Sequence, residues 1–185
     1  MSRREYNWDA IAAVIAALIG LLAIIVSGYT AWNVRQQTRA QVWPHLQLAW
    51  SVSQRGVLAL NPGAGPAIVR SVVVRVDGKP QPDWGAVKKA LGLADEKIEY
   101  GQSTLNGAVL SPGETLPILV IPNRAQFELF SKPARQRVSI RACFCSTLGD
   151  CWQSSLGGHD AAGQQHSGLE ATGCAHVAPS DEFAD

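Results

Sequence analysis

Charge is scarce in this chain. Charged residues make up 17% of its 185 positions, and the net charge is +1. From Ala40 onward, 12 Lys/Arg stand against 13 Asp/Glu, with no basic stripe and no acidic block. That excludes the electrostatic footprint of a nucleic-acid binder and of a polybasic lipid-capture segment. Catalytic signatures are missing as well. No G-x-S-x-G elbow occurs, and no Lys-Ser/Thr follows the glycine-rich Asn61–Ala67 stretch, where Pro66 removes an amide that a phosphate nest needs. C-x2-C knuckles are absent, so the usual structural zinc spacing is not met. The carboxylate pairs Asp95/Glu96 and Asp181/Glu182 sit in polar stretches and read as solvated. Ser155, His159 and Asp160 are neighbours in sequence, an arrangement that seldom gives triad geometry. The expectation is a non-enzyme with no catalytic residue, no cofactor and no resident metal.

What is present begins with one run of eighteen uncharged residues, Ala10–Ser27, AIAAVIAALIGLLAIIVS. At 1.5 Å per residue it covers roughly 27 Å, close to a bilayer's hydrocarbon thickness. Tyr6 and Trp8 precede it, and Tyr29 and Trp32 follow, where amphipathic rings favour the interfaces. About 140 further residues of strand-like sequence would not cover such a helix on every side. Arg3 and Arg4 could open a signal peptide, but the run exceeds the usual 7–15 residues and no clean A-x-A site follows it. An uncleaved signal anchor is the expectation, with the lipid bilayer as its first partner. Ala12, Ala16, Gly20, Ala23 and Ser27 recur at spacings of three or four, a small-residue stripe of the kind that permits close helix contact in lipid. A second copy or another membrane protein is the partner this implies.

Orientation is not set by the flanks, since Arg3 and Arg4 are balanced by Arg35 and Arg39. It rests on Cys143, Cys145, Cys151 and Cys174, an even count confined to the C-terminal part, which fits an oxidising compartment. We therefore expect a single-pass inner-membrane protein with a cytoplasmic N-terminus and a periplasmic domain. A cytoplasmic domain is the alternative.

The expected divisions are a short arm at 1–9, a transmembrane helix and stalk at 10–42, a β domain at 43–156 and a flexible tail at 157–185, tethered if at all by Cys174. Residues 28–42 contain good helix formers, and Pro44 ends the helix. From Leu46 the period becomes 2, and Leu46, Leu48, Trp50 and Val52 form one face of a strand that pairs in a hairpin with Val57–Leu60. A β-branched strand runs from Ile68 to a turn at Asp77-Gly78. Residues 83–92 read as a short helix with Asp83 as N-cap, Gly92 as stop and an apolar face of Trp84, Val87 and Leu91. Further strands are expected near 104–110 and 116–121, a second short helix at 125–130, and strands at 137–146 and 151–156. Many short strands without long crossover helices point to a mainly β fold, an immunoglobulin-like β-sandwich with two short helices. A small α+β domain is the alternative.

The segment Asn61-Pro62-Gly63-Ala64-Gly65-Pro66-Ala67 reads as a glycine-permitted bend allowing close chain approach. The pattern N-x-G-x-G-P-A-x-[IV], followed by V-x-V-D-G at Val74–Gly78, resembles a group of uncharacterised bacterial proteins with one N-terminal span and one β-rich domain. The resemblance extends in layout over residues 42–156 and includes the Cys-Trp hairpin. It implies an anchored extracytoplasmic domain and no activity.

In the strand 137–146, Val138, Ile140, Ala142 and Phe144 share one face, and Arg137, Ser139, Arg141, Cys143 and Cys145 the other. A three-residue loop at Thr147-Leu148-Gly149 sets Ser146 against Asp150 and Cys145 against Cys151. That favours a Cys145–Cys151 bridge across a non-hydrogen-bonded pair and, by elimination, a Cys143–Cys174 bridge holding the tail. The rivals are zinc, with Cys174, His176 or His166 supplying the fourth ligand to Cys143, Cys145 and Cys151, and free thiols. The function expected is a membrane-anchored binding or scaffold protein of the cell envelope. Two alternatives stand beside it: an accessory subunit associating through its transmembrane helix, and an envelope metal-binding protein or enzyme using the Cys/His-rich C-terminal region.

Overall fold

The structure is a computed structural model that describes residues 8–157, 168–170, 174, 177–178 and 180–184. The chain divides into two compact units, Met1–Ala40 and Gln41–Asp185. The first consists of α1 (Trp8–Gln41), which runs on into the second unit's first residue. It is long and apolar enough to cross a membrane, with a mean hydropathy of 2.9 over its most apolar window and none of that window buried. Thr30 and Thr38 turn their hydroxyls back onto the carbonyls of Val26 and Val34, so neither interrupts the helix. Pro44 follows three residues after the helix ends.

The second unit is built from two antiparallel sheets over one core. One sheet has the order β1-β2-β7-β5, with β1 (Gln47–Ser51), β2 (Gly56–Leu60), β7 (Thr115–Val120) and β5 (Gly101–Gln102). The other has the order β10-β9-β8-β3-β4, with β3 (Ala67–Val76), β4 (Lys79–Gln81), β8 (Val138–Cys145), β9 (Cys151–Leu156) and β10 (Gly168–Glu170); β6 (Val109–Leu110) pairs with the start of β3. The expected hairpin of β1 with β2 forms, with Leu48 opposite Ala59 and Trp50 opposite Val57. Asp77 and Gly78 both take positive φ, 49° and 81°, the conformation that a tight β3–β4 turn demands. Inward residues of β3 and β8, among them Val72, Val74, Ile140 and Phe144, share one core with Val57 and Leu119 of the other sheet and with Leu46 and Ile121 flanking its strands.

Two helices close the ends of the core. In α2 (Trp84–Ala90), the Asp83 carboxylate accepts the Ala86 amide at 2.7 Å, and Trp84, Val87 and Leu91 are buried. Gly92 follows at φ 82°. The other, α3 (Arg124–Arg137), corrects an expectation. The short helix expected at 125–130 runs on to Arg137, straight through Pro133. Phe127, Phe130, Ser131 and Ala134 make one buried face across the proline, and burial outweighs the lost backbone hydrogen bond. The strand expected at 104–110 shrinks to β6, and β8 begins at Val138 because Arg137 still belongs to the helix.

The flexible tail also needs correction at its end. Phe183 is 2% exposed and packs edge-on against Trp84, ring centroids 5.1 Å apart. Its amide donates to the Val72 carbonyl at 2.9 Å, and the Ala184 amide donates to Pro82 at 2.7 Å. Here β3 has an edge gap between its pairings with β6 and β4, and the chain terminus fills it. An aromatic residue 27 positions beyond the last strand readable in the sequence, 151–156, gives no periodic signal.

Candidate functional site

Two places concentrate unusual chemistry. The first is the sheet crossover Asn61–Pro66, which carries the chain from β2 in one sheet to β3 in the other. Asn61 is fully buried. Its side-chain amide donates to the carbonyls of Gly65 and Leu110 at 2.8 and 2.9 Å, and its Oδ1 accepts the amides of His45 and Gly63 at 3.1 Å each. The Trp43 carbonyl accepts the amides of Ala64 and Gly65. A Cβ on Gly63 would lie 2.4 Å from the His45 nitrogen, and one on Gly65 would meet the Val42 carbonyl oxygen. The glycines therefore admit the entry segment Val42–His45, rather than a second strand edge, and Asn61 rivets it. This motif is structural, and it explains why the residues occur at that spacing.

The second place is the outer face of the six-stranded sheet. Register puts Ser71 beside Cys143, Val73 beside Arg141, and Arg75 beside Ser139 on β3 and β8; Cys143 and Cys145 then face Gln153 and Cys151 on β9. Both disulfides lie here. Cys145 joins Cys151 across the hairpin with Cα atoms 4.0 Å apart, and Cys143 joins Cys174 with Cα atoms 5.5 Å apart. The hairpin has the anticipated geometry, with Gly149 at φ 84° and the Ser146 amide donating to Asp150 at 2.8 Å. The Sγ atoms of Cys145 and Cys174 are 3.9 Å apart, so the two bridges touch. Although Cys143 and Cys145 point away from the core, they are 5% and 4% exposed. Val177, Ala178 and Asp181, together with Ser71, Val73, Arg75, Arg141, Cys143 and Gln153 of this face, line a cavity of about 150 Å³.

A bulge helps shape this wall, because the β3–β8 register shifts between Val69 and Ser71 and leaves Arg70 unpaired and exposed. Sequence periodicity placed Arg141 and Cys143 on the outer face. It could not show that β3 adds Ser71 and Arg75 beside them, because that depends on a strand partner 70 residues away in the chain.

Elsewhere, the strongest electrostatic feature is structural. Arg137 forms a two-point ion pair with Asp77, the shorter contact 2.5 Å, and donates to the Ala90 carbonyl at the end of α2 at 3.0 Å. The hydrogen bond from Arg137 holds the Asp77 carboxyl below its ordinary value, and the same bond raises Arg137. Arg124 is likewise raised by its bond to Glu128, a pair one turn apart on α3.

On α1, Ala12, Ala16, Gly20, Ala23 and Ser27 are all exposed. His159, Asp160, His166 and His176 lie outside the described residues, so the triad and histidine-ligand readings are not placed. The sulfur atoms of Cys145, Cys151 and Cys174 all lie within 4.8 Å of one another. No protein-family model, no curated protein and no solved structure matches the chain.

Proposed function

We propose that the protein is a single-pass, membrane-anchored binding or scaffold module of the cell envelope, non-enzymatic, with Gln41–Asp185 on the periplasmic side. One combination carries this reading: an apolar helix with none of its most apolar window buried, in one chain with a domain stapled by two disulfides. An uncovered helix of this length needs lipid around it. Paired cysteines persist where the environment is oxidising. The likeness of the Asn61–Ile68 motif to single-span bacterial proteins agrees. We read the sandwich as immunoglobulin-like, supported by many short antiparallel strands in two sheets around a shared core.

Limited proteolysis of spheroplasts with a membrane-impermeant protease tests the placement. The expected result is digestion within residues 43–185, and full protection on intact spheroplasts would reject it. The intact mass of the membrane-extracted protein separates an anchor, which retains residues 1–27, from a cleaved signal sequence.

The clustered sulfurs favour one second reading. If the domain faces a reducing compartment, Cys143, Cys145, Cys151 and Cys174 become a four-thiolate metal site, because two sulfurs 3.9 Å apart suit one edge of a tetrahedron with ~2.3 Å metal–sulfur bonds. Thiol titration together with metal analysis decides between four titratable thiols with one bound zinc and none.

A further inference from the structure

The cavity on the outer sheet face holds hydrogen-bonding capacity that no described residue uses. Ser71 is 8% exposed and has no side-chain hydrogen bond among the described residues; Gln153, on the opposite wall, has none either. Arg75 and Arg141 are more telling. They occupy diagonal positions on adjacent antiparallel strands, one register step apart, since Val73 faces Arg141 and Arg75 faces Ser139. Such positions sit roughly 7–8 Å apart with side chains on one face, where like charges repel. No carboxylate among the described residues lies within ion-pair distance of either guanidinium.

Arg75, half-buried, and Arg141, exposed, both line this cavity, and an anion seated between them would be held by both, because each guanidinium offers a planar fork of donors matched to a carboxylate. The remaining wall defines the ligand further. Val73 and Val177 supply apolar surface, and Asp181 contributes one negative charge to the lining. The volume of about 150 Å³ falls below the range for drug-sized ligands and equals the liquid share of roughly five waters. Two positive groups and one negative group around a few methylenes of room are the charge complement of a short dicarboxylate, with Asp181 placed to receive an ammonium group.

We infer that this cavity binds a small dicarboxylate, acidic amino acids included, between Arg75 and Arg141, with Val177 and Asp181 on its further wall. The inference deepens the binding-module reading and names the ligand class for it. Protease accessibility addresses the placement of the domain separately, so the two can fail independently.

The test is calorimetric titration of the full-length, oxidised protein in nanodiscs with glutarate, L-glutamate and inorganic phosphate. Arg75→Gln, Arg141→Gln and the control Arg70→Gln would be titrated in parallel, with thermal melts to confirm folding. Saturable one-site binding of glutarate or L-glutamate is expected, weakened at least tenfold by either cavity variant and unchanged in Arg70→Gln. Asp181→Asn should weaken L-glutamate and leave glutarate unchanged or tighter. The inference is overturned if folded wild type binds neither dicarboxylate, or if binding persists undiminished in both cavity variants. Phosphate binding without dicarboxylate binding would overturn the ligand class.

Discussion

Single residues decide more here than their number suggests, and Asn61 is the clearest case. Its side chain makes four hydrogen bonds inside a site with no solvent exposure. Asn61→Ala would orphan the carbonyls of Gly65 and Leu110 and the amides of His45 and Gly63. At about 1–3 kcal/mol for a buried group left unsatisfied, some of it relieved by water entry, a loss of about 2–4 kcal/mol is expected in urea denaturation. Arg137 is half-buried by comparison, and its effect should depend on pH. Asp77 titrates below its ordinary value of 3.8 when folded. A carboxylate depressed on folding contributes stability that is fully present above its unfolded value and is lost as pH falls through the folded one. Arg137→Met removes the hydrogen bonds responsible. The stability gap between wild type and this variant should therefore be constant near neutrality and narrow below pH 3.8. Denaturant midpoints measured across that range would show it; a constant gap at every pH would assign the variant's effect to the lost bond to Ala90 instead.

At the scale of elements, legibility follows periodicity. The outward and inward faces of β8, the β1–β2 hairpin, the Asp83 cap and the Thr147–Gly149 loop were readable because each is encoded in one short contiguous stretch of sequence. The hairpin register even yielded both disulfides, since Cys145 and Cys151 sit opposite one another and leave Cys143 and Cys174. Long-range packing was not readable. Pro133 lies inside α3 because Phe127, Phe130 and Ala134 are buried together, and Phe183 docks because β3 leaves a gap that only the tertiary fold creates. The C-terminal segment is thus held twice, by a covalent bridge and by an aromatic plug. Phe183→Ala removes the plug and should cost about 3–4 kcal/mol as a cavity-forming truncation. Cys174→Ser opens a loop of sequence separation 31, with an expected loss of about 3–4 kcal/mol in the chain-entropy account. If both act on the same docked segment, their effects should be less than additive, because the second change finds the segment already loosened. A double-mutant cycle in urea measures this, and full additivity would mean that the bridge and the plug act independently.

For the whole molecule, the question is where the helical unit ends and the sheet domain begins. Composition puts the limit near Pro44, where helical geometry fails. The contacts put it earlier, at Gln41. The reason is the crossover at Asn61–Pro66, whose backbone reaches across to Trp43 and His45 and whose glycines leave space only for main chain. The entry segment Val42–His45 therefore belongs to the folded domain, though it contributes no strand. A chain beginning at Gln41 should fold as a monomeric domain with both disulfides. One beginning at Leu46 keeps every strand and every disulfide but loses the acceptor for the Ala64 and Gly65 amides and the His45 amide that fills Asn61 Oδ1. It should melt well below the longer form, because groups left unsatisfied in the crossover must recruit water or rearrange. Comparing the two by thermal denaturation, with thiol titration to confirm equal disulfide content, isolates the entry segment from the bridges. Equal melting temperatures would show that the crossover holds its shape alone, and would reduce the N-x-G-x-G-P-A pattern to a turn between two sheets.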